Sequence, residues 1–133
     1  MTGDERSVSG EQIKEEIDRE VGIGVKEEIV DMYEDLFQSI WDRIMPTLGL
    51  VTMATIMERA IYRARQRFEA LEYLEVTDEG LDFSELRKRV SEKDKGILKE
   101  GFKELIASLF DILAKLTGNV LVSHLEKLVE GKV

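Results

Sequence analysis

Ile44 to Met57 is fourteen consecutive residues without a charge, in a chain where 35% of residues are charged. A bilayer span needs about 20 apolar residues, so this stretch is too short to cross a membrane. In a small protein such a run predicts a helix buried on all sides at the centre of a bundle.

A chain of 133 residues suits one domain with one hydrophobic core, and 43% apolar residues is ordinary for a folded protein. With no cysteine, disulfides, thiolate metal sites and cysteine nucleophiles are excluded. The polar start Met1 to Ser7 has no apolar core of a signal peptide, so a soluble cytoplasmic protein is expected. A net charge of −9 argues against duplex nucleic acid as a partner. The acids concentrate early: residues 1–35 hold 12 acids and 4 bases, whereas Arg87 to Lys103 holds 7 bases and 3 acids. The acidic N-terminal helices are therefore expected near the basic middle. One Asn and three Gln beside abundant Glu, Lys and Arg give a thermophile-like composition, which concerns habitat and not mechanism.

Residues 1–10 read as a mobile tail and residues 11–133 as a single helical domain. Ser9 and Gln12 have capping-box spacing for a helix from Glu11 to Val21, which Gly22-Ile23-Gly24 interrupts. Val25, Ile29, Met32, Leu36, Ile40 and Ile44 recur at helical spacing, with Pro46 ending or kinking that helix. The central helix is expected from Thr47 to about Glu75, with Leu50, Met57, Ala64 and Leu71 seven apart. A tiny hairpin fits near 73–83, with Asp78-Glu79-Gly80 as its turn. Asp82 and Glu85 have capping-box spacing for a short helix to about Val90. A longer helix capped by Ser91 should run to Leu116, with Phe102, Leu105, Leu109, Ile112 and Leu116 inward, and stop at Gly118. Val120 to Glu130 closes the chain. The expected fold is all-α: a single-domain bundle of about five helices around a central buried helix.

The lone histidine, His124, lies in Val-Ser-His-Leu-Glu-Lys-Leu. Ser-His with Lys three places on resembles the phosphoacceptor helix of histidine kinases and phosphotransfer bundles. That resemblance implies a phosphoacceptor imidazole with a cation near the phosphoryl group. This chain departs from the pattern at Leu125, where kinases carry an acid, and at Leu128, where phosphotransfer domains carry glycine. A boundary residue at the edge of the apolar stripe is the simpler reading.

The Glu75–Glu85 segment resembles an EF-hand in its Gly-Leu-Asp-Phe-Ser-Glu-Leu ending, but the loop is one residue short and has Thr77 where aspartate is usual. A turn followed by a helix cap accounts for it, and no metal site is expected. Arg59, Arg63 and Arg67 are four apart on one helix flank, spacing suited to carboxylates or phosphates of an acidic partner. Pairing with the N-terminal acids is the plainer expectation. Met32, Phe37, Trp41, Met53 and Met57 could line an apolar ligand pocket or a dimer face; core filling is the plainer account. A helix apolar on every side needs neighbours on every side, which a homodimer would supply.

No Gly-rich phosphate loop, Ser-His-Asp set or HExxH is present, nothing argues for an enzyme, and no cofactor is implied. The expected function is that of a small cytoplasmic regulatory or sensory module for signal transduction, acting by dimerisation and apolar ligand or partner contact. A phosphotransfer bundle using His124 and a carrier of an apolar cofactor are the alternatives.

Overall fold

The computed structural model describes residues 25–132. The expected tail 1–10 and the helix Glu11–Val21 lie outside the described residues. The described chain forms five α-helices and a two-stranded hairpin. It is the all-α bundle expected from the sequence.

The first helix, α1, is Val25–Leu48. Ile29, Val30, Tyr33, Leu36, Phe37, Ile40, Trp41 and Ile44 follow the helical period and are all buried. Glu27 and Glu28 occupy its first turn, where the helix dipole favours negative charge. Pro46 does not end the helix; it lies in the last turn, and the Gly49 N–H still donates to Met45 O at 2.7 Å. The break comes at Gly49 instead. Its φ of +88° is closed to residues with a Cβ, so α1 stops and the chain reorients before α2, Leu50–Arg65.

The charge-free run is thereby divided between two helices, which corrects the reading of a single enclosed element. Ile44, Met53, Ile56 and Met57 are buried, but Leu50 is 36% exposed and Val51 79% exposed. The α2 helix also ends ten residues before Glu75; a 3-10 segment, Glu69–Tyr73, follows it. Only one face of α2 enters the core, through Met53, Ile56, Met57, Ala60, Ile61 and Ala64.

Strands β1 (Glu75–Thr77) and β2 (Gly80–Asp82) pair antiparallel, with Val76 opposite Leu81 and Asp78-Glu79 as the connection. Gly80 has φ +133°, and a Cβ there would stand 2.8 Å from Gln38 Oε1. Gln38 of α1 uses that space: its Nε2 donates to the Glu79 carbonyl at 2.9 Å, tying the hairpin to the bundle. The Ser84 N–H donates to Asp82 Oδ1 at 2.9 Å, opening α3, Ser84–Arg89. Hydrogen bonds from Ser84 hold the Asp82 carboxyl below the ordinary aspartate range.

A 3-10 turn, Glu92–Asp94, leads into α4, Lys95–Thr117. Ser91 is not the cap of α4; its Oγ donates to Asp94 Oδ2 at 3.1 Å within that turn. The expected stop at Gly118 is present with φ +82°, and α5, Asn119–Lys132, follows. The most extensive helix packing is between α2 and α4, while α5 packs on α4 and α1. Along α4, Leu98, Phe102, Leu105, Leu109, Ile112 and Leu113 face the core. Leu116, expected inward, is 62% exposed because it lies in the last turn, beyond the packed stripe. Where Gly101 meets Phe68, an added Cβ would stand 3.2 Å from the Phe68 Cβ.

Candidate interaction surface

Among the described residues, the acidic start of the chain meets the basic middle at Arg87. Arg87 of α3 donates from Nη1 to Glu27 at 2.8 Å, and from Nη2 to Asp31 at 2.7 Å and Glu34 at 2.5 Å. These three acids share one flank of α1, spaced three or four residues apart. Beside them Lys26 Nζ donates to the carbonyls of Arg87 (3.0 Å) and Val90 (2.9 Å), capping the C-terminal end of α3 from outside. The Lys26 ammonium and the Arg87 guanidinium hold the Glu27 carboxyl below its ordinary range.

The Arg59, Arg63 and Arg67 row does not reach those acids. Its partners come from α4: Arg63 pairs with Asp111 at 3.1 Å and Arg67 with Glu104 at 3.2 Å. The extensive α2–α4 packing sets this choice, because it lays the outer flank of α4 beside the arginines. Arg59 is exposed and has no ion pair or hydrogen bond among the described residues.

Between α2 and α4, at the arginine end, runs an open groove of about 320 Å³ lined by Thr55, Ile56, Arg59, Arg63, Ile112, Lys115 and Leu116. Ile56 and Ile112 form an apolar floor, and the exposed Leu116 extends it. Three cations rim it. Asp111 Oδ2 accepts from both Arg63 (3.1 Å) and Lys115 (3.2 Å), and these two cations hold its carboxyl below the ordinary aspartate range. Val51 stands one turn before Thr55 on the same helix, and the Thr55 hydroxyl donates to its carbonyl at 2.8 Å. Val51 therefore lies on the side of α2 that leads to the groove.

Two other grooves are less free to bind. One, of about 520 Å³, lies between the 3-10 segment and the start of α4. Its cations, Arg67 and Arg89, are engaged by Glu104 and Glu85 and lie over Phe68 and Tyr73. The other, of about 420 Å³ between α2 and β1, mixes Glu58 and Glu75 with Arg65, which lies over Tyr62 at 5.1 Å.

Comparison with protein-family models, curated proteins and solved structures gives no match.

Phe37, Trp41, Met53 and Met57 are at most 2% exposed, and Met32 is half-buried. They fill the core; the large apolar side chains that are exposed are Leu50, Val51, Tyr62, Ile97 and Leu116. His124 is exposed on α5, with Lys127 one turn on and Leu125 buried beside it. The Glu75–Glu85 acids are spread over the hairpin and the first turn of α3, with Glu75 paired across the ladder to Asp82. No helix among the described residues is long and apolar enough to cross a membrane. Sequence reasoning found the arginine wall of the groove and missed the other. Asp111 and Lys115, four apart on α4, were the available signal for it.

Proposed function

We propose that the protein is a small cytoplasmic regulatory module that works by contact with another polypeptide, on the face where α2 begins and α4 ends. The observation that carries this reading is Leu116, 62% exposed in a groove with an apolar floor and cationic rim, with Val51, 79% exposed, one turn before the groove residue Thr55. Apolar side chains gathered at the edge of a charged groove are the usual composition of a protein-contact surface. A photo-cross-linking residue placed at Val51 in the source cell tests it. A discrete adduct is expected from position 51, and none from the exposed Lys93 at the other end of the molecule. The same smear from both sites, or no adduct from either, would sink the proposal. The adduct's mass reports whether the covering chain is a second copy, as in the homodimer suggested by the sequence, or a different protein.

A second reading, phosphotransfer, is favoured by one observation: the His124 imidazole is exposed, with a lysine one turn away. On that reading, incubation with a small-molecule phosphodonor gives an acid-labile phosphoryl label that His124→Gln abolishes. Equal labelling of the variant, or no labelling of the native chain, removes it.

A further inference from the structure

We infer that the occupant of the α2–α4 groove is an acidic amphipathic helix presented by a different protein, with Arg59 as its principal charge contact. This rests on the reading of the groove as a protein-contact surface and adds the chemistry of what covers it.

Charge is the first argument. Among the described residues, the rim holds Arg59, Arg63 and Lys115 beside the carboxylate of Asp111, a local excess of positive charge in a chain whose net charge is −9. Such a patch selects an anionic partner. Asp111 already shows how a carboxylate sits here, one oxygen serving two cations. Arg63 and Lys115 retain further N–H donors, and Arg59 retains all of its own. Arg59 and Arg63 are one helical turn apart, so carboxylates spaced four residues apart on a partner helix match them in rise.

The apolar floor decides between an isolated anion and a polypeptide. Inorganic phosphate would satisfy Arg59 but would leave Leu116 and Val51 uncovered. A helix with an apolar stripe flanked by acids covers both, laying its apolar side chains on the Ile56–Ile112 floor. A second copy fits less well. A two-fold contact through this groove would set Arg59, Arg63 and Lys115 against their own counterparts.

Fluorescence anisotropy with a labelled alanine-based peptide of about 18 residues, long enough to hold some helix in water, tests the inference. The peptide carries a leucine stripe flanked by glutamates four apart. Two controls replace the glutamates by lysines or the leucines by serines. Saturable binding is expected for the glutamate–leucine peptide alone, weakening about tenfold for Arg59→Glu and several-fold when salt is raised from about 0.05 to about 0.5 M. Because Arg59 is exposed and unpaired among the described residues, that variant should keep the native circular dichroism spectrum. Equal binding of the lysine peptide, insensitivity to Arg59→Glu, displacement by equimolar inorganic phosphate, or no saturable binding would each overturn the inference. If the peptide fails while Val51 cross-links to a second copy, the contact surface stands and only its assignment to an acidic helix falls. If the peptide fails and Val51 gives no adduct, both fall.

Discussion

Phe102→Ala is expected to destabilise the protein by about 3–5 kcal/mol, measured by urea unfolding followed by circular dichroism. Phe102 is wholly buried and is the hub of the aromatic cluster. Its ring centroid lies 4.9 Å from Tyr33, 5.8 Å from Phe83 and 6.2 Å from Phe37. Tyr33 and Phe37 come from α1, and Phe83 is the residue that opens α3. One ring therefore joins three parts of the chain that are far apart in sequence. Truncation removes the transfer free energy of the ring, leaves a cavity in a rigid surround, and deletes three ring contacts. Domains of this size are stable by only about 5–15 kcal/mol, so the loss is a large share of the whole. Phe102→Leu, which keeps most of the volume, should lose clearly less. A loss below about 1 kcal/mol for the alanine variant would mean that the cluster does not pack around this residue.

Arg87→Met should cost about 2 kcal/mol at neutral pH, between the values typical of exposed and of buried pairs. The Arg87 side chain is 26% exposed and its loss leaves Glu27, Asp31 and Glu34 facing one another on α1 without their shared cation. The methionine stem retains part of the packing, so the difference reports mainly charge. The pH dependence follows from Glu27, whose carboxyl is held low in the folded protein by Lys26 and Arg87. A depressed folded pKa contributes stability that is fully present above the unfolded value and lost as pH falls through the folded one. The native protein should therefore weaken below about pH 4.5, and the gap between it and Arg87→Met should narrow there. Asp82 and Asp111 are also held low, by groups other than Arg87, so the variant should keep some acid sensitivity. Urea unfolding of both proteins at neutral and acid pH checks this. A gap that stays constant or widens on acidification would show that the cluster contributes no charge pairing.

The parts of the fold that could be read in advance are those where local pattern and tertiary packing agree. Val25 to Ile44 and Leu98 to Leu113 carry apolar residues at helical spacing with charges between them, so the buried face follows from the order of residues alone. The hairpin announced itself through Asp78-Glu79-Gly80, and the end of α4 through Gly118. Reading failed where that contrast disappears. Between Ile44 and Met57 no charged residue marks an outer side, so the pattern did not separate Met53, which is buried, from Val51, which is not. A glycine early in a helix costs little, so the use of Gly49 as a break shows only in its dihedral angle. The end of α2 at Arg65 has no proline or glycine to mark it; Phe68, at φ −131° and ψ 88°, leaves the helix to pack against Gly101.

The groove divides in the same way. Arg59 and Arg63 were recognisable because four-residue spacing on one helix needs no knowledge of its neighbours. Lys115 and Leu116 belong to a helix some fifty positions later, and only the packing of α2 on α4 brings them opposite. Total charge by region brought Glu27, Asp31 and Glu34 to Arg87, but it could not name Asp111 and Glu104 of α4 as the described partners of Arg63 and Arg67.

Because Gly49 alone joins α1 to α2, the molecule has no slack at that joint. Were this residue to take helical angles, the two helices would fuse into one rod bent at Pro46 and lift the buried face of α2 off its own α4. That face could be buried again only against the α4 of another copy, which would do the same in return. The φ and ψ of one glycine thus stand between this packing and a reciprocal exchange of arms.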